Sequence, residues 1–321
     1  MSLAGELIDW VGKRTVTQGR YVGKPFTLLR WEKEFLECAF APGIKTAALS
    51  VGRGNGKSTL LGAVAAACVA GPLALPRAEC IGVAAAFQQV RILFEHARDM
   101  IPSMEKSSVR VLDSTAWAQL EQKYTKARFR AIASDPQKAH GLAPFLVIAD
   151  EAAQWQRTQR EAMYSALVTS LGKIPESRFI TIGTQPDDGT HFFARLLEEE
   201  SSATHYSMSY ACEKDCDILD PAEWYKANPS LEHMPDLYDT IKTEAEKAAA
   251  DPGLEFQFRA LRLNSGTPDN DMRDVLISAQ TWRECLAPDV QPEGEYVLGL
   301  DLGGAAAFSA ASAYWLSLIH I

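Results

Sequence analysis

The stretch Thr46-Ala47-Ala48-Leu49-Ser50-Val51-Gly52-Arg53-Gly54-Asn55-Gly56-Lys57-Ser58-Thr59 decides the fold. It joins a short apolar strand to a glycine-rich turn, and the apolar run Leu60 to Ala70 that follows reads as a buried helix. A strand that ends in glycines and feeds a helix turns successive backbone N–H groups into a small concavity at the positive end of the helix dipole. Such a concavity suits a phosphate. The candidate nucleotide-binding residues are therefore Gly52, Arg53, Gly54, Asn55, Gly56, Lys57, Ser58 and Thr59. In a P-loop the lysine, here Lys57, reaches the β/γ-phosphates and the next hydroxyl, Ser58, holds Mg²⁺. The spacing GxxxxGK[S/T] is missed at its first glycine, because counting back from Gly56 reaches Val51 and Gly52 stands one place late.

A nucleotide-hydrolysing site also needs carboxylates at the end of a neighbouring strand. Phe145-Leu146-Val147-Ile148-Ala149-Asp150-Glu151 supplies them, with Asp150 placed to hold Mg²⁺ and Glu151 to act as general base on the attacking water. Further apolar strands are expected at Cys80 to Ala85, Ala127 to Ala133 and Arg178 to Gly183, separated by helical periodicity over Phe87 to Met100 and Gln156 to Ser170. Strands alternating with helices predict an α/β fold built on a doubly wound, mostly parallel sheet. Arg53 is placed to neutralise charge on a transferring γ-phosphoryl group, or else is an exposed loop residue. Thr184, just past the strand that ends at Gly183, is placed to sense the γ-phosphate, or else is a strand-end cap.

The chain has 321 residues, about two domains' worth at ~150 residues each. With 47% apolar and 23% charged residues it is ordinary for a folded protein, which removes the disordered and disulfide-scaffold classes. The longest apolar run is 11 residues, against about 20 for a bilayer span, and Glu6 and Asp9 spoil a signal-peptide profile. No membrane partner is expected. The cysteines read as reduced thiols, and the one close pair, Cys212 and Cys216, lacks a second pair to complete a metal site. The net charge of −9 is concentrated: residues 213–295 hold 19 acids against 8 bases, whereas residues 1–212 hold 21 against 24. The first two-thirds can therefore still approach a phosphate backbone.

From about Ser201 the sequence becomes acidic and helical, with interruptions at Pro221, Pro229, Pro235 and Pro252, and at Glu295 a new strand begins that runs to Asp301, with another near Ala310 to Trp315. The expected division is 1–200, 201–294 and 295–321.

Taken together, Val51 to Thr59 with Arg53 inside the loop, Ile148-Ala149-Asp150-Glu151 and the later Ala227-Asn228-Pro229-Ser230-Leu231 resemble the large subunit of a tailed-phage terminase. The resemblance runs over nearly the whole chain, and the missing first glycine and the loop arginine are features of that family's variant P-loop. It implies an ATP-driven motor that packages double-stranded viral DNA into the prohead, working with a portal protein and a small subunit as a homo-oligomeric ring in the host cytoplasm. It also implies an ATPase domain over 1–200, a linker subdomain over 201–294 and the start of a ribonuclease H-like nuclease domain over 295–321. In that family Thr184 matches the coupling motif, Arg53 the arginine in cis, and Asp301 the first metal-binding carboxylate of a nuclease that uses two Mg²⁺ or Mn²⁺ ions. A glutamine near the adenine pocket is usual in the stretch like Leu29-Arg30-Trp31-Glu32, and here that place holds Glu32.

A two-metal nuclease needs several converging carboxylates, and no Asp or Glu follows Asp301. The expectation is a truncated copy of a longer protein, without nuclease activity of its own. One rival is a DExx helicase, suggested by Asp150-Glu151-Ala152-Ala153, although the 137 residues after Thr184 show no second strand-helix alternation. The other is a fragment that binds ATP without turnover. For DNA, Lys123, Lys126, Arg128 and Arg130, with Tyr124 and Phe129, form either a phosphate contact or a solvated basic face.

Overall fold

A computed structural model describes residues 2–19, 21–139, 141–172, 174–186 and 189–265, and the strands Tyr296–Asp301 and Ala310–Trp315. The chain divides into two compact units, Met1–Pro268 and Asp269–Ile321.

The larger unit is built on one eight-stranded sheet. In chain order its strands are β1 (Thr46–Ser50), β2 (Glu79–Ala84), β3 (Val109–Asp113), β4 (Ala118–Gln122), β5 (Arg128–Ala133), β6 (Leu146–Asp150), β7 (Arg178–Gly183) and β8 (His205–Ser209). They lie side by side as β3-β4-β5-β2-β6-β7-β1-β8, and every pair from β5 to β8 is parallel. The sheet is the mostly parallel one expected. β2, β6 and β7 are buried along their whole length, as their near-continuous apolar sequences require. The antiparallel hairpin β3-β4 and the edge strand β8 were not expected; they are short, polar and partly exposed, so they carry little apolar signal.

Helices cover both faces. On one side lie α1 (Leu3–Gly12), α2 (Arg30–Ala39), α3 (Lys57–Ala70) and α4 (Phe87–Met100), whose apolar residues share a core with β1 and β6. The other side carries α5 (Pro136–Ala139), α6 (Arg160–Leu171) and α7 (Phe192–Glu198) over a second core. From Lys57 to Ala70 only Ser58 and Thr59 escape full burial, so α3 is apolar on every face and sits between the sheet and α4.

The acidic helical segment follows β8. That strand pairs with β1 from His205 to Ser209, so the sheet continues past the boundary expected at residue 200. The reason is that His-Tyr-Ser-Met-Ser lacks the apolar run by which the other parallel strands are read. Beyond it come α8 (Pro221–Ala227), α9 (Pro235–Ala250) and α10 (Pro252–Phe258), the last continuing as a π turn over Arg259–Leu263. Pro221, Pro235 and Pro252 are not interruptions: each stands at the start of a helix, where its missing N–H costs nothing. Asp220 and Asp251 cap two of these starts by accepting from Ala222 N and Gly253 N. The segment has its own apolar core around Trp224, Ile241 and Leu263. No helix among the described residues is long and apolar enough to cross a membrane.

In the smaller unit, β9 (Tyr296–Asp301) and β10 (Ala310–Trp315) pair antiparallel, with Asp301 opposite Ala310.

Candidate nucleotide site

β1 delivers the chain to the loop 51–56, and α3 begins at Lys57. Gly56 holds φ at 88°, the left-handed conformation that turns the chain into the helix and that a side chain would resist. Gly52 is needed for a different reason. A Cβ there would lie 2.5 Å from Asn228 Oδ1 and 2.7 Å from the Arg262 carbonyl, so the helical segment presses directly on the loop.

A cavity of about 330 Å³ opens beside this loop, bordered by Arg53, Lys57, Ser58, Asp150, Glu151 and Thr184 among others. Six residues singled out for separate reasons thus meet at one place. β6 lies beside β7 and not beside β1, and its C-terminal carboxylates reach the loop across the end of β7. Lys57 Nζ donates to the carbonyls of Val51 (3.0 Å) and Gly52 (3.3 Å) and stands 3.3 Å from Glu151 Oε1. Glu151 takes a left-handed conformation, φ 44°, and its Oε2 accepts from Thr184 N at 3.4 Å. A non-glycine residue held there is strained in a way that tertiary structure must maintain.

Asp150 is buried, and burial together with the neighbouring Glu151 raises its carboxyl to about 7, against the pull of Lys57 and a hydrogen bond from Ser58. Its Oδ1 has no hydrogen-bond partner among the described residues. A carboxylate oxygen buried in this way, with a serine hydroxyl beside it, fits the coordination shell of Mg²⁺. Arg53 is exposed at the cavity mouth. Gln89 and Gln154, hydrogen-bonded to each other at 3.0 Å, complete the rim and carried no sequence signal.

On the far side of the loop a cavity of about 770 Å³ runs between Tyr21, Phe26, Leu29 and Glu32 and the loop residues Gly54 to Gly56. Glu32 sits at the third position of α2, where its Oε2 accepts from Leu29 N at 2.7 Å. Burial raises its carboxyl to about 7, opposed by that N–H.

Three residues that sequence reasoning left without a role reach the site from the helical segment. Asn228 and Ser230 hydrogen-bond Asn55, and Asn264 Oδ1 accepts from Gln185 N at 2.6 Å while its Nδ2 donates to Ser50 Oγ and the Tyr210 carbonyl. Asp301 lies in the smaller unit, at the end of β9. The basic patch is largely neutralised: Arg128 and Arg130 both pair with Glu79 at 3.3 Å, Lys126 lies 3.7 Å from Glu121, and Phe129 is fully buried.

A mostly parallel sheet, a strand-loop-helix turn rich in glycine and acidic residues at a nearby strand end define an α/β protein with the local geometry of a P-loop. In sequence, the chain is 27% identical over 292 residues to the large terminase subunit of Enterobacteria phage HK97, a match spanning 89% of this chain and 57% of that protein. The family model of the terminase large subunit endonuclease domain matches residues 199–309, taking in β8, the helical segment and β9. The helicase-domain model of the RNA cytidine acetyltransferase NAT10/TcmA matches residues 48–169, the stretch that holds the loop and Asp150-Glu151. In structure, the chain superposes on the HK97 bacteriophage large terminase with a TM-score of 0.74 at 23% identity, covering 98% of this chain and 68% of that one. The ATPase domain of the Thermus phage P74-26 large terminase gives 0.51 at 15% identity, over 75% of this chain and 94% of that one. The chain is similar to the large subunits of phage terminases, and it spans little more than half the length of the curated relative it matches.

Proposed function

We propose that this chain binds and hydrolyses Mg²⁺-ATP at the cavity beside Lys57, as the motor part of a terminase large subunit that drives double-stranded viral DNA into the prohead. The supporting observation is that Arg53, Lys57, Ser58, Asp150, Glu151 and Thr184, chosen from sequence, border one cavity. The phosphates lie against the loop amides, and the base end extends toward the larger cavity beside Glu32. Ser58 and Asp150 would hold Mg²⁺, which would supply neutralisation of the phosphate charge.

Lys57 leaves Glu151 for the phosphates, which frees the Glu151 carboxylate to accept a proton from the attacking water. Arg53 stabilises charge on the γ-phosphoryl group in the transition state. Thr184, whose backbone N–H faces Glu151, passes the change on. The partners proposed are the portal protein, the prohead and the small subunit, in a homo-oligomeric ring in the host cytoplasm.

Asp301 is proposed as one metal-holding carboxylate of a nuclease site that would use two Mg²⁺ or Mn²⁺ ions. Mn²⁺-dependent cleavage of plasmid that Asp301→Asn leaves unchanged would overturn that assignment. The motor reading is tested by DNA-stimulated ATP hydrolysis of the chain and of Glu151→Gln. Equal turnover by the two proteins would leave only a nucleotide-binding role.

A further inference from the structure

Asn55 is the polar loop residue whose side chain is buried, at 2% exposed. One N–H of its amide donates to the Gly52 carbonyl at 2.9 Å and the other to Asn228 Oδ1 at 2.7 Å. Its Oδ1 accepts from Ser230 N, and its own carbonyl accepts from Ser230 Oγ, both at 3.1 Å. Ser230 Oγ in turn accepts from the Trp31 indole N–H at 3.1 Å, and Asn228 Nδ2 donates to the carbonyls of Trp224 and Arg262. Asn228 and Ser230 are wholly buried. A polar network satisfied in this way at low dielectric specifies one arrangement, because losing any member leaves a buried donor or acceptor unpaired.

The same surface closes on the loop backbone. Gly52 N donates to the Ala227 carbonyl at 3.0 Å, Arg53 N to the Leu261 carbonyl at 2.6 Å, and Arg262 Nη1 to the Arg53 carbonyl at 2.7 Å. Arg262 is itself fixed by Glu244 through two contacts of 2.6 and 2.8 Å. The loop is thus shaped by a segment that lies more than 170 residues later in the chain.

We propose that Asn228 and Ser230 are positioning residues that latch the phosphate loop through Asn55, so that nucleotide binding and the seating of the helical segment on the loop form one linked equilibrium. The proposal rests on the nucleotide reading of the cavity. None of the three side chains needs to touch the nucleotide; their effect is to keep Gly54 to Ser58 in the shape that receives phosphate. Linkage requires the effect to be reciprocal, so bound nucleotide must in turn hold the segment 227–231 in place.

The test uses the full chain and a fluorescent Mg²⁺-ATP analogue, with Ser230→Ala as the variant and hydrogen exchange of residues 227–231 as the second readout. Removing Ser230 Oγ deletes two hydrogen bonds of the latch and is expected to raise Kd and KM about tenfold. The change falls on uniform binding, so kcat at saturation stays within about twofold. In the unaltered protein, the analogue is expected to slow exchange of the 227–231 amides, and in Ser230→Ala to slow it less. Unchanged exchange in a wild-type chain that binds the analogue would overturn the latch, even if Ser230→Ala fails to fold. A variant that loses kcat while keeping KM would overturn it as well. A wild-type chain that binds no analogue would instead remove the nucleotide reading, and this proposal with it.

Discussion

Lys57 Nζ lies 3.3 Å from Glu151 Oε1 while also donating to two carbonyls of its own loop. The lysine is 5% exposed and the glutamate 24%, so the pair is partly shielded and worth more than a surface ion pair. It also sets two demands against each other, since a cation paired with Glu151 is not free for phosphate and a carboxylate paired with Lys57 is a poorer base. Glu151→Gln removes the base and loosens the hold on Lys57 together. Hydrolysis should fall by about 10²–10⁴-fold. Nucleotide affinity should hold or rise, as followed by titration with the analogue. Loss of affinity in parallel with rate would show that Glu151 shapes the site and does not act on water.

Arg53 is exposed at the cavity mouth, and its contacts with the helical segment are made by its backbone. Arg53→Ala should therefore leave folding and nucleotide affinity near wild type and lower kcat by about 10³-fold, the scale of an arginine acting on a transferring phosphoryl group. Arg53→Lys should restore little, because an ammonium lacks the planar fork of donors. Steady-state ATPase kinetics beside a thermal unfolding curve separate the two effects. A normal kcat in Arg53→Ala would return the residue to the role of a solvated loop side chain.

The parts legible in the sequence were those that local pattern determines. β1, β2, β6 and β7 are buried nearly throughout and read as apolar runs, β5 carries an apolar stretch buried at Phe129, Ala131 and Ile132, and the loop and Asp150-Glu151 follow strands directly. The edges were less legible. β8 is polar and its sequence does not stand out from the helical segment, and Pro221, Pro235 and Pro252, which look like breaks, begin helices. What pattern could not reveal is the contact of Asn228 and Ser230 with Asn55 across 173 and 175 residues, or of Asn264 with Ser50 across 214. These are single side chains bonded across the fold, and neither spacing nor hydropathy marks them.

Asn264 holds φ at 50° and is fully buried, with its amide shared among Gln185 N, Ser50 Oγ and the Tyr210 carbonyl. It therefore ties the ends of β1 and β7 to the close of the helical segment, one residue beyond Thr184. Asn264→Gly keeps the left-handed backbone but deletes three hydrogen bonds, for a cost of about 3 kcal/mol. Asn264→Ala should cost about 1 kcal/mol more, because an L side chain resists that φ. Urea unfolding of the chain measures both. Equal stability of the two variants would show that the backbone there is not held in the left-handed region.

Glu32 offers a test by pH. Its carboxyl is buried, and burial raises its pKa from the ordinary 4.5 to about 7 despite the Leu29 N–H that favours the charged form. Between those two values the folded chain keeps a proton that the unfolded chain has lost, so the Glu32 contribution lowers stability as pH rises from about 4.5 to 7. Above that window the full penalty, on the order of 3 kcal/mol, is present. Glu32→Gln removes the charge and leaves a carbonyl oxygen to accept from Leu29 N. The variant should match wild type near pH 4.5 and be more stable at pH 8, with the gap opening across the window. Urea midpoints at pH 4.5, 6 and 8 measure this directly. A gap of the same size at all three values would mean that the Glu32 carboxyl titrates alike in the folded and the unfolded chain.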